Sequence, residues 1–183
     1  MMDYILSKMV LLIFLLLLVS AFTLVQQSLS SYFSQQAAKG LASGITSYIS
    51  QIITTVRSTS ERKVFVLPPA LEAGKEKIPY DVNVVVYKRN TGQHALCYVG
   101  VLVMEQGSGK PLAYDVVSVG APEDVDIFVC YRDDGIFARS SGMKDQYVIL
   151  DRVVDLITGQ RRLSMCSATN PNAQCGSCGG DLC

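Results

Sequence analysis

The chain has 183 residues, 16 Lys and Arg against 16 Asp and Glu, 49% hydrophobic residues and six cysteines. That length holds one core-forming domain plus an accessory element, which argues against two globular domains. Zero net charge without a clustered basic stripe argues against a nucleic-acid partner.

The apolar excess sits at the N terminus. Residues 1–8 form a short leader or cytoplasmic tip ending in Lys8, and Met9 to Val25, "MVLLIFLLLLVSAFTLV", follows with only Ser20 and Thr23 as polar side chains. At 1.5 Å per residue this run covers roughly 25 Å, close to the hydrocarbon thickness of a bilayer, so it reads as a membrane segment. A cleaved secretory signal is the rival reading, with Val19-Ser20-Ala21 as the small-residue site ahead of Phe22. Positive charge at the N-terminal end, from Lys8 and the amine, favours that end inside and the remainder outside.

From Leu29 the apolar residues Phe33, Ala37, Leu41, Ile45, Ile49, Ile52 and Val56 recur at helical spacing, and no Pro interrupts residues 9–60. One continuous helix over 9–60 is expected, with a bend or a close contact at Gly40 and Gly44. Its polar side is Ser, Thr and Gln, with Lys39 the only charge between Met9 and Val56. A helix in water normally carries interspersed Glu and Lys. Small uncharged polar residues suit helix–helix contact instead, so Phe33, Ala37, Gly40, Leu41, Gly44, Ile45, Ile49 and Ile52 are the candidate packing residues, most simply against copies of themselves. A polar stalk is the alternative.

The pattern changes to period two beyond "RSTSERK", and residues 61–165 read as a β-rich head. Strands are expected at "KVFVLPP", "YDVNVVVYKR", "HALCYVGVLVME", "LAYDVVSV", "VDIFVCYR" and "QYVILDRVVDLI", with turns at "NTG", "GSGKP", "GAPED", "DDG" and "ITGQ". The fold class is therefore α+β: a long N-terminal transmembrane helix, then an antiparallel sandwich-like domain.

Catalytic chemistry has little support. His94 is the only histidine and flanks a turn, while Asp133, Asp134, Glu123, Asp124 and Asp126 lie in turn-forming stretches without the ligand spacing of an EF-hand loop. No phosphate-binding Gly-rich loop is present. No catalytic residue is assigned.

Cys97 and Cys130, both in expected strands, read as a bridge between strands or as two buried thiols. The tail 166–183 carries Cys166, Cys175, Cys178 and Cys183. Two disulfides there are expected, because only one Cys-x-x-Cys is present where structural zinc sites usually pair two. The expectation is thus no cofactor, with zinc on Cys166, Cys175, Cys178 and Cys183 as the alternative.

This order of parts resembles archaeal type IV pilin-like and pseudopilin-like proteins: a leader ending in Lys8, an apolar segment running into a long helix, and a β-rich head opened by "KVFVLPPALEAGKEKIPYDVNVV" over residues 63–85. The resemblance implies processing between Lys8 and Met9 and self-association through the helix into an extracellular filament, with the head exposed. The chain departs from the family pattern in having Lys8 rather than a small residue before the cut and Ile13 at the fifth mature position, where a Glu is common. The other functional expectation is an envelope-anchored head, an accessory subunit or adhesion module that binds a surface or polymer.

Overall fold

A computed structural model describes residues 2–54, 59–74, 76–91, 94–121, 124–140 and 146–175. One helix, α1, runs over Met2–Thr54. The helix begins ahead of the expected start and includes the leader from Met2, it is described as far as Thr54, and Ser60, expected at the end of the helix, already opens the first strand. With no Pro before Pro68, nothing interrupts the hydrogen-bond ladder through the apolar run.

Among the described residues the head has ten strands: β1 (Ser60–Val66), β2 (Leu71–Ala73), β3 (Glu76–Ile78), β4 (Tyr80–Thr91), β5 (His94–Glu105), β6 (Pro111–Gly120), β7 (Val125–Val129), β8 (Ala138–Arg139), β9 (Tyr147–Val154) and β10 (Arg161–Ala168). They form a sheet β1-β9-β10-β7, a sheet β6-β5-β4-β8, and the small hairpin β2-β3. Pairing is antiparallel except for β7 with β10, which run parallel from Arg161 opposite Val125 to Met165 opposite Val129.

Period-two alternation builds the core. Tyr80, Val82 and Val84 of β4 face inward beside Val99, Val101 and Val103 of β5, all at most 2% exposed. Ile127, Leu150, Leu163 and Met165 supply the facing layer from the other sheet. Tyr80 is buried whole, and its hydroxyl donates to the Pro68 carbonyl at 2.7 Å, so the polar tip is satisfied inside the core.

Three local expectations are corrected. β9 stops at Val154, so Leu156 and Ile157 belong to a turn and not to a strand; Asp155 Oδ1 accepts hydrogen bonds from the Ile157 and Thr158 backbone N–H groups and bends the chain away. β7 stops at Val129, which leaves Cys130 just past the strand, while Cys97 lies within β5. The segment Arg161–Ala168 is a strand, so Cys166 is on the sheet and the Cys-rich tail begins inside the head.

The upper half of α1 is a wall of this core. Ser34, Ala38, Leu41, Ala42, Ile45, Thr46, Ile49, Ile52 and Ile53 are buried at three- and four-residue intervals. This stripe packs chiefly against β6, with β5, β2 and β1 flanking it. Thr46 Oγ1 donates to Asp115 Oδ2 of β6 at 2.5 Å, a charge-assisted bond across the helix–sheet contact. Replacing Thr46 with Val leaves Asp115 Oδ2 without this donor, while Oδ1 keeps the Val116 N–H. A loss of about 2 kcal/mol is expected, read as a thermal midpoint lower by roughly 4 to 8 °C in detergent-solubilised protein; an unchanged midpoint refutes the role of this bond.

Candidate functional site: the bare helix and its junction with the head

Residues 8–29 of α1 are exposed on every side. Fourteen large apolar side chains between Met9 and Val25 are 54–66% exposed. Even at the lower value of about 1.5 kcal/mol per large side chain, their transfer out of water is worth on the order of 20 kcal/mol, so this half of the helix requires a partner or a bilayer. An 18-residue stretch of it reaches a mean hydropathy of 2.7, so it is long and apolar enough to cross a membrane, and its position fits a membrane anchor or a signal sequence. Lys8 and Met9 both lie inside the helix.

The expected packing residues divide in two. Leu41, Ile45, Ile49 and Ile52 are buried, and the surface that buries them is the chain's own head. Ala37 is half-buried at the edge of that contact, whereas Phe33 stays 47% exposed below it. Gly44 permits a close approach, though to a strand: a Cβ there would stand 3.1 Å from the Phe65 ring, which packs edge-on against Tyr48. Gly40 has nothing within 4 Å of its missing Cβ and lies on the outer side of the helix with Gln36, Lys39, Ser43 and Ser47.

Where the bare helix meets the head, a polar cleft of about 470 Å³ opens between Gln26, Gln27 and Ser30 on α1 and Glu76, Glu105 and Lys110 on the head. Ser30 donates to Glu76 Oε2 at 2.7 Å, and Ser108 donates to Glu105 Oε2 at 3.0 Å. Charge therefore appears at this level, one turn beyond the apolar run. The head begins where the hydrocarbon-like surface ends.

Cys166 and Cys175 form a disulfide that ties the end of β10 to the start of the tail, with Cα atoms 5.6 Å apart. Two of the four sulfurs in the zinc alternative are consumed by this bridge. Cys97 and Cys130 are each disulfide-bonded as well, but not to one another: the one bridge with both ends among the described residues is Cys166–Cys175, and no described cysteine is free. Cys178 and Cys183 lie outside the described residues. Among the carboxylates considered earlier, Asp134 pairs with Arg139 at 3.3 Å and with Arg132 at 3.8 Å, an arrangement that closes the 133–135 turn; Asp126 is within β7, and Glu123 lies outside the described residues. His94 opens β5.

No family profile, characterised protein or solved structure matches this chain. Sequence reasoning missed the Thr46–Asp115 anchor and the exposed Leu156–Ile157 pair. The second carried a signal in "DLITG", where an Asp and a Gly bracket an apolar pair at turn spacing.

The cysteine assignments have a direct check. Alkylation of the denatured, unreduced protein is expected to leave Cys97, Cys130, Cys166 and Cys175 unmodified in peptide mass spectra, and prior reduction is expected to label all four. Removing the Cys166–Cys175 bridge as paired Ser variants should lower stability by about 2 to 3 kcal/mol in denaturant titrations.

Proposed function

We propose that this chain is a structural, non-enzymatic subunit of an extracellular filament of the type IV pilus kind, held in the membrane and then assembled through α1, with its β-head exposed. One observation carries the reading. The helix is apolar on all sides from Met9 to Val25 apart from Ser20 and Thr23, and farther along it turns an outer side to the surroundings beside the head where Gln35, Gln36, Ser43, Ser47 and Gln51 are exposed and only Lys39 is charged. Small and amide side chains let helices approach closely without stripping water from fixed charge. The apolar half would move from lipid into a bundle of like helices.

The self-sufficiency of the head supports a second reading. Because the inner stripe of α1 is covered by the chain's own sheets, an anchored monomer leaves only residues 8–29 to the membrane, and the head would then act as a binding or adhesion module for a surface or polymer.

The two separate on the outer side of the helix. Gln36→Glu, Ser43→Glu and Ser47→Glu together place three carboxylates on exposed positions, so the head's thermal midpoint is expected to be unchanged while sedimentable filaments disappear. Filaments that survive all three charges overturn the assembly reading in favour of the anchored module. The mature N terminus gives an independent check: Met9 is expected from processing after Lys8, Phe22 would mean a secreted head without its anchor, and Met1 a permanent anchor.

A further inference from the structure

Where it leaves the apolar run, α1 is amphipathic in the reverse sense to a helix in water. Thr23, Gln26, Gln27, Ser30, Ser31 and Ser34 recur at three- and four-residue spacing and line the cleft of about 470 Å³, so the polar side of the helix faces the chain's own head. On the opposite side at the same level, Phe22, Val25, Leu29, Tyr32 and Phe33 are 47–62% exposed. Apolar side chains point outward and polar ones inward. A bilayer whose surface lies at this level satisfies both, because lipid covers the outer side while the inner side keeps a polar opening of its own.

Depth agrees with that placement. The apolar run ends at Val25, and Gln26 to Ser30 stand roughly 2 to 8 Å beyond it along the helix. The headgroup region adds roughly 5 to 8 Å on each side of the hydrocarbon, so cleft and headgroups share one level. The cleft carries charge of both signs. Glu105 N donates to the Lys110 carbonyl at 2.8 Å and Gly109 N to the Glu105 carbonyl at 3.1 Å, which holds a carboxylate and an ammonium on one short turn between β5 and β6. They do not neutralise each other, since Lys110 makes no ion pair among the described residues. Glu76 Oε2 accepts from Ser30 and Glu105 Oε2 from Ser108, which leaves Oε1 of each carboxylate open to a ligand.

We propose that the cleft takes the headgroup of one ethanolamine phospholipid from the surrounding bilayer, with its phosphodiester on Lys110 and its primary ammonium on Glu76 and Glu105. A primary ammonium brings three N–H donors, enough for both carboxylates and one Gln amide oxygen. A choline headgroup has no N–H to donate. A glycerol headgroup has no cation, and its net negative charge meets two carboxylates against a single ammonium. The level of the cleft selects a lipid over a free solute, because the bilayer holds its headgroups at the opening. The site rests on the membrane reading of residues 9–25, which the filament subunit and the anchored module share, and it does not depend on assembly.

The test uses the full-length chain in vesicles of ethanolamine, choline and glycerol phospholipids in equal parts, each with acyl chains of distinct mass, and a photoreactive residue in place of Thr23. That hydroxyl bonds only the Ser20 carbonyl of its own helix, so the probe removes none of the charged groups. Adducts are expected to carry the ethanolamine lipid over the choline lipid by about tenfold, as a charge-assisted hydrogen bond allows. The same probe in place of Leu17 should label the three lipids in bulk proportion. Lys110→Ala and Glu105→Gln should each return the Thr23 pattern to bulk proportion, and Glu105→Lys, which leaves two ammonium groups and one carboxylate, should turn the preference to the glycerol lipid. Both positions lie outside the core, so unchanged thermal midpoints establish that each variant is folded. Bulk proportions at Thr23 in the otherwise unaltered chain, adducts there to a second copy and not to lipid, or a preference indifferent to Lys110→Ala overturn the site. Leu17 separates this from the membrane reading: lipid adducts at Leu17 without preference at Thr23 overturn the headgroup site alone, and no lipid adduct from either position overturns both.

Discussion

The molecule depends on the docking of one stripe of α1 into the open side of its own head. Ala38, Leu41, Ala42, Ile45, Ile49 and Ile52 are buried against strands that would otherwise expose Val99, Val101 and Val117 along the β5–β6 half of their sheet. The helix is therefore a layer of the domain as well as its tether. Sandwiches usually close a sheet with a second sheet; here β1-β9-β10-β7 covers part of the inner face and the helix covers the rest. Since the same unbroken helix continues through residues 8–29, the direction in which the apolar half leaves the head is set by core packing and by the Thr46–Asp115 bond, not by a hinge.

That docking divides the helix surface by partner. The inner stripe is used up within the chain, which removes it from any contact between copies. What remains beside the head is the outer side, where Gly40 has open space in place of a Cβ and Ser43, Ser47 and Gln51 follow. Gly44, one turn on, serves the inner contact, because a methyl group there would crowd the Phe65 ring. Two glycines four residues apart thus answer to different neighbours.

The sequence pattern made the helix and most strands legible because each has a local period: three to four along 33–53, two along 80–86 and 97–103. It could not say which surface would receive the helical stripe, since periodicity reports that an apolar partner is needed and carries no information about whether it is the same chain or another. β10 was hidden for a different reason. "RRLSMCSA" offers only Leu163 and Met165 as inward apolar residues, and its opening arginines read as loop. In the fold Arg162 lies over the Phe128 ring at 4.2 Å, so the strand carries charge that packs across the parallel β7–β10 pair. A parallel neighbour 36 residues earlier, Val125 opposite Arg161, leaves no trace in a short window. The opposite error occurred at Leu156 and Ile157, where hydrophobicity extended an expected strand and the bonds to the Asp155 carboxylate ended it.

Polarity along one axis links the fold to the proposed assembly. The bare apolar helix lies at one end, the charged cleft of Glu76, Glu105 and Lys110 marks the level where it enters the head, and the β9–β10 turn projects beside Thr59, past the upper end of the helix. Each feature faces a different environment, and the single helix places them in that order. A subunit organised this way presents unlike surfaces at its two ends, whereas a symmetric dimer requires one self-complementary patch. Burying the apolar half side by side would bring helices into parallel alignment but fix no axial offset, because the run Val10–Val19, Leu, Ile and Val throughout except Phe14, packs almost equally well at several registers. The offset must then come from contacts with shape and charge of their own. On this chain the described features that have both are on the head, so in the proposed filament the head would set the geometry and the helix would supply the driving force.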